Sequence, residues 1–177
     1  FCFVSSSCLH TSSCLVSLAR RFVYETADIP QEKRILVISR FSKDIHKGGG
    51  RVTDLMTESL RGYTLVLLIG SGALDTDLQQ QLEKKAQSLG IGLDYKYKLT
   101  DYEKFKEIKR DCLMMFPSLF EGYGYPPIEA QYCNVPGVCF DLPVLREHSG
   151  DGVYYVPHGD WEAFNVKVSE VLTSDKD

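Results

Sequence analysis

Two carboxylates frame the stretch SLFEGYGYPPIEA, residues 118–130. Glu121 enters a turn rich in glycine, tyrosine and proline, and Glu129 leaves it. Their spacing alone carries nothing, since Glu162 and Glu170 further along are eight apart as well. Context sets the first pair apart. The apolar run CLMMFP precedes the turn, and Pro126 and Pro127 suit the first turn of a helix, where no backbone donor is wasted. Glu129 is therefore expected in or next to that first turn, and Glu121 at the exit of a strand. Gly122 and Gly124 let the chain pass close to a ligand with its N–H groups exposed. Such amides, backed by a helix N-terminus, bind hydroxyls or anionic oxygens, and the carboxylates add acceptors suited to sugar hydroxyls.

Two cations belong to the same picture if the elements close into a parallel sheet. Arg40 ends the first strand-like run and Lys47 precedes Gly48-Gly49-Gly50. Both then fall on the edge that carries the glutamate turn. Their charged hydrogen bonds, about 1.5–3 kcal/mol each, would suit a diphosphate.

The elements needed to position these groups are legible from residue 34 onward. Strand-like runs occupy 34–40, 64–70, 92–98, 112–116, 137–140 and 153–156. Helix-like stretches separate them. Val52, Leu55, Met56 and Leu60 share one face; Leu74, Leu78, Leu82 and Leu89 share another; Trp161, Phe164, Val168 and Leu172 share a third. Thr100-Asp101-Tyr102-Glu103 reads as a capping box, and Asp160 as a cap of the last helix. This alternation implies an α/β, Rossmann-like, doubly wound domain. About six parallel strands carry helices on both faces, with ligands bound beyond the carboxyl ends of the strands. Residues 34–177 are read as that domain and residues 1–33 as a linker or remnant of a preceding segment. Residues 1–23, without acidic residues and rich in serine, also have the composition of a transit-type leader.

Other chemistries are less well supported. Gly70-Ser71-Gly72 follows a strand, but Asp75 stands where a dinucleotide fingerprint wants Gly or Ala. HKGGGR, residues 46–51, lacks the Lys-Ser/Thr of a phosphate loop. Asp75-Thr76-Asp77 is better explained as a helix cap with a favourable first-turn charge than as a metal site. None of the six cysteines forms a C-x-x-C pair, so no zinc site is indicated, and a reduced, cytoplasmic setting is the easier reading. The net charge of −4 over 177 residues excludes a nucleic-acid coat but not an anionic ligand met by local cations.

FPSLFEGYGYPPIEA, NVPGVCFDLPVLRE and GVYYVPHGDWEAF together resemble the carboxyl-terminal half of the retaining glycosyltransferases of GT-B fold, the group-1 family with its E-x7-E motif. ILVISRF followed by Lys47-Gly48 is similar to that family's phosphate-binding stretch. The likeness covers about residues 34–172 and is strongest over 112–164. It implies a nucleotide-diphosphate-sugar donor (GDP- or UDP-sugar), a hexose transferred with retention to a glycan or lipid, no metal and no cofactor. Arg40 and Lys47 would neutralise the diphosphate. Glu121, in the catalytic position, would hold the transferred sugar with the amides of Gly122, Tyr123 and Gly124, and Glu129 would grip the ribose.

The sequence also departs from the family. Arg40 and Lys47 are seven apart, wider than usual, so Lys43 is an alternative to Lys47. Asn134 fills a place where glycine is usual, and Phe140, where a small residue is common, is expected to narrow the pocket. The family's acceptor site lies on an amino-terminal domain, so this chain alone is expected to bind donor and transfer sugar poorly. The alternative is a non-catalytic nucleotide-sugar-binding or regulatory subunit that needs a partner chain.

Overall fold

The computed structural model describes Phe22 and residues 28–41, 45–70 and 74–174. The leader-like stretch apart from Phe22, and with it Cys2, Cys8 and Cys14, lies outside these residues, as do Lys43 and Gly72. Six strands, β1 (Glu32–Ser39), β2 (Thr64–Ile69), β3 (Gly92–Tyr97), β4 (Asp111–Phe116), β5 (Gly137–Phe140) and β6 (Tyr154–Val156), form one sheet in the order β3-β2-β1-β4-β5-β6. Every pairing is parallel. Runs such as Ile35-Leu36-Val37 are apolar at consecutive positions because both faces of such a sheet are covered.

On one face, Ile35, Val37, Leu65 and Leu67 meet α1 (Thr76–Leu89) through Leu78 and Leu82, and α5 (Trp161–Ser174) through Phe164 and Val168. On the other, Leu36, Val66 and Met114 meet α2 (Asp101–Arg110) through Phe105 and Ile108, and α3 (Tyr125–Tyr132) through Ala130. A satellite cluster of Phe116, Cys139 and Leu145 seats α4 (Pro143–Ser149). The expected caps form. Asp75 accepts from the Leu78 amide at 3.0 Å, Thr100 and Glu103 close their capping box, and Asp160 accepts from the Ala163 amide at 2.9 Å.

Two expectations need correction. Val52, Leu55, Met56 and Leu60 are buried together, but on two 3-10 turns, Gly49–Leu55 and Glu58–Leu60, rather than one α-helix. Met56 and Thr57 between them are extended. Three glycines at the start and β-branched Val52, Thr53 and Thr57 weaken the α-helix, and tight turns bury the same side chains. Glu129, the fifth residue of α3, adjoins the first turn as expected, and that turn holds Pro126 and Pro127. Phe140 does not narrow a pocket. It is fully buried, with its ring 5.1 Å from those of Trp161 and Phe164. Asn134 takes up the glycine-like role that its position calls for, with φ 56° after α3.

Candidate functional site

The chain leaves β1 to build the β2-β3 side of the sheet and returns through β4 to build the other side. The carboxyl ends of β1 and β4 therefore diverge, which opens a crevice at the point where strand order reverses. Arg40 is the residue after β1, and the glutamate turn follows β4. An open cavity of about 410 Å³ lies there, lined among others by Arg40, Lys47, Glu121, Tyr123, Gly124 and Tyr125.

Hydrogen bonds knit the two loops together. Ser39 Oγ donates to the Lys47 carbonyl at 2.7 Å, and the Leu119 and Phe120 amides donate to the His46 carbonyl at 2.8 and 3.1 Å. Buried Ser118 donates to the Phe120 carbonyl at 3.1 Å. A Cβ on Gly48, at φ 68°, would sit 2.0 Å from the Pro117 carbonyl oxygen, so only glycine lets the loops touch. Gly124, at φ 81°, caps α3 where a Cβ would meet Leu145 at 2.1 Å.

Within this frame Lys47 Nζ lies 2.7 Å from Glu121 Oε1 and donates to the Phe120 carbonyl at 3.1 Å. Arg40 is exposed, and its guanidinium makes no hydrogen bond or ion pair with any described residue. The Tyr123 ring stacks between Tyr125, at 4.3 Å, and His148, at 3.9 Å, which fixes the turn's course. One cation uncommitted among the described residues, one paired cation and a carboxylate at the mouth of an α/β crevice can receive an anion that carries a polyhydroxylated group.

Of the predicted residues, Arg40, Lys47, Glu121, Tyr123 and Gly124 come together here. Gly122 is exposed on the same turn but outside the lining, and so is Glu129, which is buried with Oε1 2.7 Å from Lys104 Nζ. Sequence reasoning missed Lys104 and the bracing roles of Ser39, His46 and Ser118. For Ser118 a signal existed, a hydroxyl between a strand end and the glutamate. For the others the partner lies in another element, with no local pattern. A larger cavity, about 760 Å³, opens at the opposite edge beside Lys33, Tyr63, Cys112 and Pro136. The one acid among its described lining residues, Glu32, is already paired with Arg110, so size does not select it.

The comparisons with known proteins converge on this architecture. The family described as glycosyl transferases group 1 matches residues 25–177. The chain belongs to that family. It is 29% identical over 115 residues to the O-antigen chain mannosyltransferase RfbU of Salmonella typhimurium, an alignment over 62% of the chain and 30% of the relative. It is 34% identical over 61 residues to the O-antigen chain mannosyltransferase B of Escherichia coli, over 34% of the chain and 16% of the relative. The chain thus spans under a third of these curated relatives. The pneumococcal O-GlcNAc transferase GtfA, solved with UDP and GlcNAc, superposes with a TM-score of 0.65 at 18% identity, over 85% of the chain and 31% of GtfA. A TarM mutant of S. aureus, solved with UDP, α-GlcNAc-glycerol and fondaparinux, gives 0.67 at 18%, over 83% and 30%. The fold of this group-1 chain is that of these glycosyltransferases. Among its described residues no helix is long and apolar enough to cross a membrane.

Proposed function

We propose that residues 34–177 are the donor-binding domain of a hexosyltransferase that uses a nucleotide-diphosphate sugar with retention and without a metal. The observation that carries this reading is the convergence of Arg40, Lys47 and Glu121 on one cavity at the switch point. Arg40 would take the diphosphate through its forked donors and Lys47 would neutralise the charge that grows on it as the sugar leaves. Glu121 and the Gly122–Gly124 amides would hold the sugar. Glu129, on α3 just past the turn, would grip the ribose hydroxyls. The UDP in the complexes of GtfA and TarM supports a nucleotide donor, and the two mannosyltransferase relatives make mannose the first sugar to try. The free thiols of Cys112, Cys133 and Cys139 fit a cytoplasmic setting. Transfer itself is assigned to the whole protein, with an acceptor-binding domain of the kind the family carries on its amino-terminal side.

The test is thermal unfolding with GDP, UDP, ADP and their hexose conjugates. A ligand at about 100 times its dissociation constant adds roughly 2.7 kcal/mol of apparent stability, so the midpoint should rise with one base in particular. The reading fails if no nucleotide moves it.

A further inference from the structure

Lys47 and Glu121 reach the cavity from the two different loops of the switch point and meet there, 2.7 Å apart. The Glu121 side chain is 12% exposed and that of Lys47 25%. A charge left without its partner at this depth has lost most of its water and is costly. The second cation is in the opposite situation, since the exposed Arg40 guanidinium is uncommitted among the described residues. A diphosphate can therefore recruit Arg40 at no internal cost. To recruit Lys47 it must compete with a carboxylate already in place, and success strands that carboxylate, shielded from water, beside the phosphates. A sugar on the diphosphate changes the balance, because its hydroxyls are donors that can replace the ammonium on Glu121.

Resting on the donor-site reading, we infer that Lys47 and Glu121 form an exchange pair that discriminates sugar-bearing from sugar-free nucleotide. Without donor, Glu121 holds Lys47. When donor binds, sugar hydroxyls take over Glu121 and release Lys47 to the diphosphate. Once the sugar has gone, Glu121 recaptures Lys47 and weakens the hold on the nucleoside diphosphate, which favours its release. Glu121 is then a specificity-determining residue through its effect on a cation, beyond whatever it does to the sugar.

The test is calorimetric titration of the 177-residue chain and its E121Q and K47Q variants with GDP, UDP and ADP, and with GDP-mannose, UDP-glucose and ADP-glucose. E121Q frees Lys47 and removes a like charge, so it should bind the matching free diphosphate about tenfold more tightly, the scale of one charged hydrogen bond. Its preference for the sugar conjugate should shrink. K47Q should weaken the conjugate more than the free diphosphate, whereas a lysine uninvolved with Glu121 would weaken both alike. Should E121Q melt at the titration temperature, K47Q decides alone. Unchanged or weaker binding of the free diphosphate by a folded E121Q, or equal losses in K47Q, overturns the exchange and leaves the donor site standing. Absence of binding by the unmodified chain to all six probes overturns the donor site, and the exchange with it.

Discussion

One strand carries two arginines with opposite fates. Arg34, third residue of β1, is buried and spends its guanidinium on three acids. Nε meets Asp111 Oδ1 and one terminal nitrogen meets Asp94, each at 3.2 Å, and the other terminal nitrogen meets Glu107. Arg40, just past the end of the strand, is exposed and meets none of the described charges. Both sites combine arginine, lysine and acid, since Lys96 and Arg110 flank the first as Lys47 flanks the second. Composition does not distinguish them; saturation does. A buried guanidinium with every nitrogen committed to an acid is architecture, while one at a crevice whose donors are unspent among the described residues is available to a ligand.

The widest gap between the two clusters should appear on removing each arginine. Arg34→Met leaves Asp94, Glu107 and Asp111 around an apolar side chain. Breaking a buried ionic cluster in this way costs about 3–5 kcal/mol, to be read as a lower midpoint in urea. A loss below about 1 kcal/mol would show that the network contributes little. Arg40→Met should change stability by no more than about 0.5 kcal/mol, because its side chain is exposed and has no partner among the described residues.

The next effect lies inside the buried cluster. Asp111 is fully buried, and its Oδ2 has no hydrogen-bond partner. Burial pushes its carboxyl from 3.8 up to about 8, against the pull of Arg34. Between those values the folded chain binds a proton that the unfolded chain has released, so stability falls as pH rises from about 4 to about 8. The slope from this group is at most about 1.4 kcal/mol per pH unit. Asp111→Asn, neutral at every pH, should flatten this part of the profile and be at least as stable as the unmodified chain at pH 8. A profile with unaltered slope would show Asp111 ionised in the fold.

The exposed arginine matters for ligand rather than for fold. Arg40→Met should weaken the matching nucleoside diphosphate by about 1.5–3 kcal/mol, one charged hydrogen bond or a bidentate pair, measured by titration at fixed salt. Arg40→Lys should recover only part, because a point charge cannot reproduce the fork. Intact affinity in the methionine variant would remove Arg40 from the site.

The comparison also shows what could be read along the chain. Arg40 was legible because strand ends follow from apolar runs and ligand edges from the parallel sheet. The caps at Asp75, Thr100 and Asp160 were legible because each is completed within three residues. The Arg34 cluster was not, since its partners lie 60, 73 and 77 residues away on β3, α2 and β4. The 3-10 turns escaped because burial at Val52, Leu55, Met56 and Leu60 is compatible with either helix. Lys104 escaped because its meeting with Glu129 depends on how α2 and α3 pack. Local signals gave the elements and one edge of the site; what required two elements at once waited for coordinates.

The smallest expected effect is the sharpest control on the glutamate pair. Glu162 and Glu170 repeat the spacing of Glu121 and Glu129, but on α5, where Glu162 is exposed and Glu170, among the described residues, pairs only with Lys167 on the same helix. A surface pair three residues apart is worth a few tenths of a kcal/mol. The double variant Glu162→Ala, Glu170→Ala should therefore lose less than about 0.5 kcal/mol of stability and bind nucleotide as before. Glu129→Ala leaves Lys104 beside a hole in a largely buried spot. It should lose about 1–3 kcal/mol of stability and weaken nucleotide binding as well. If both pairs behaved alike, the turn that separates Glu121 from Glu129 would carry no more meaning than a helix surface, and the cavity would have to be justified by Arg40 and Lys47 alone.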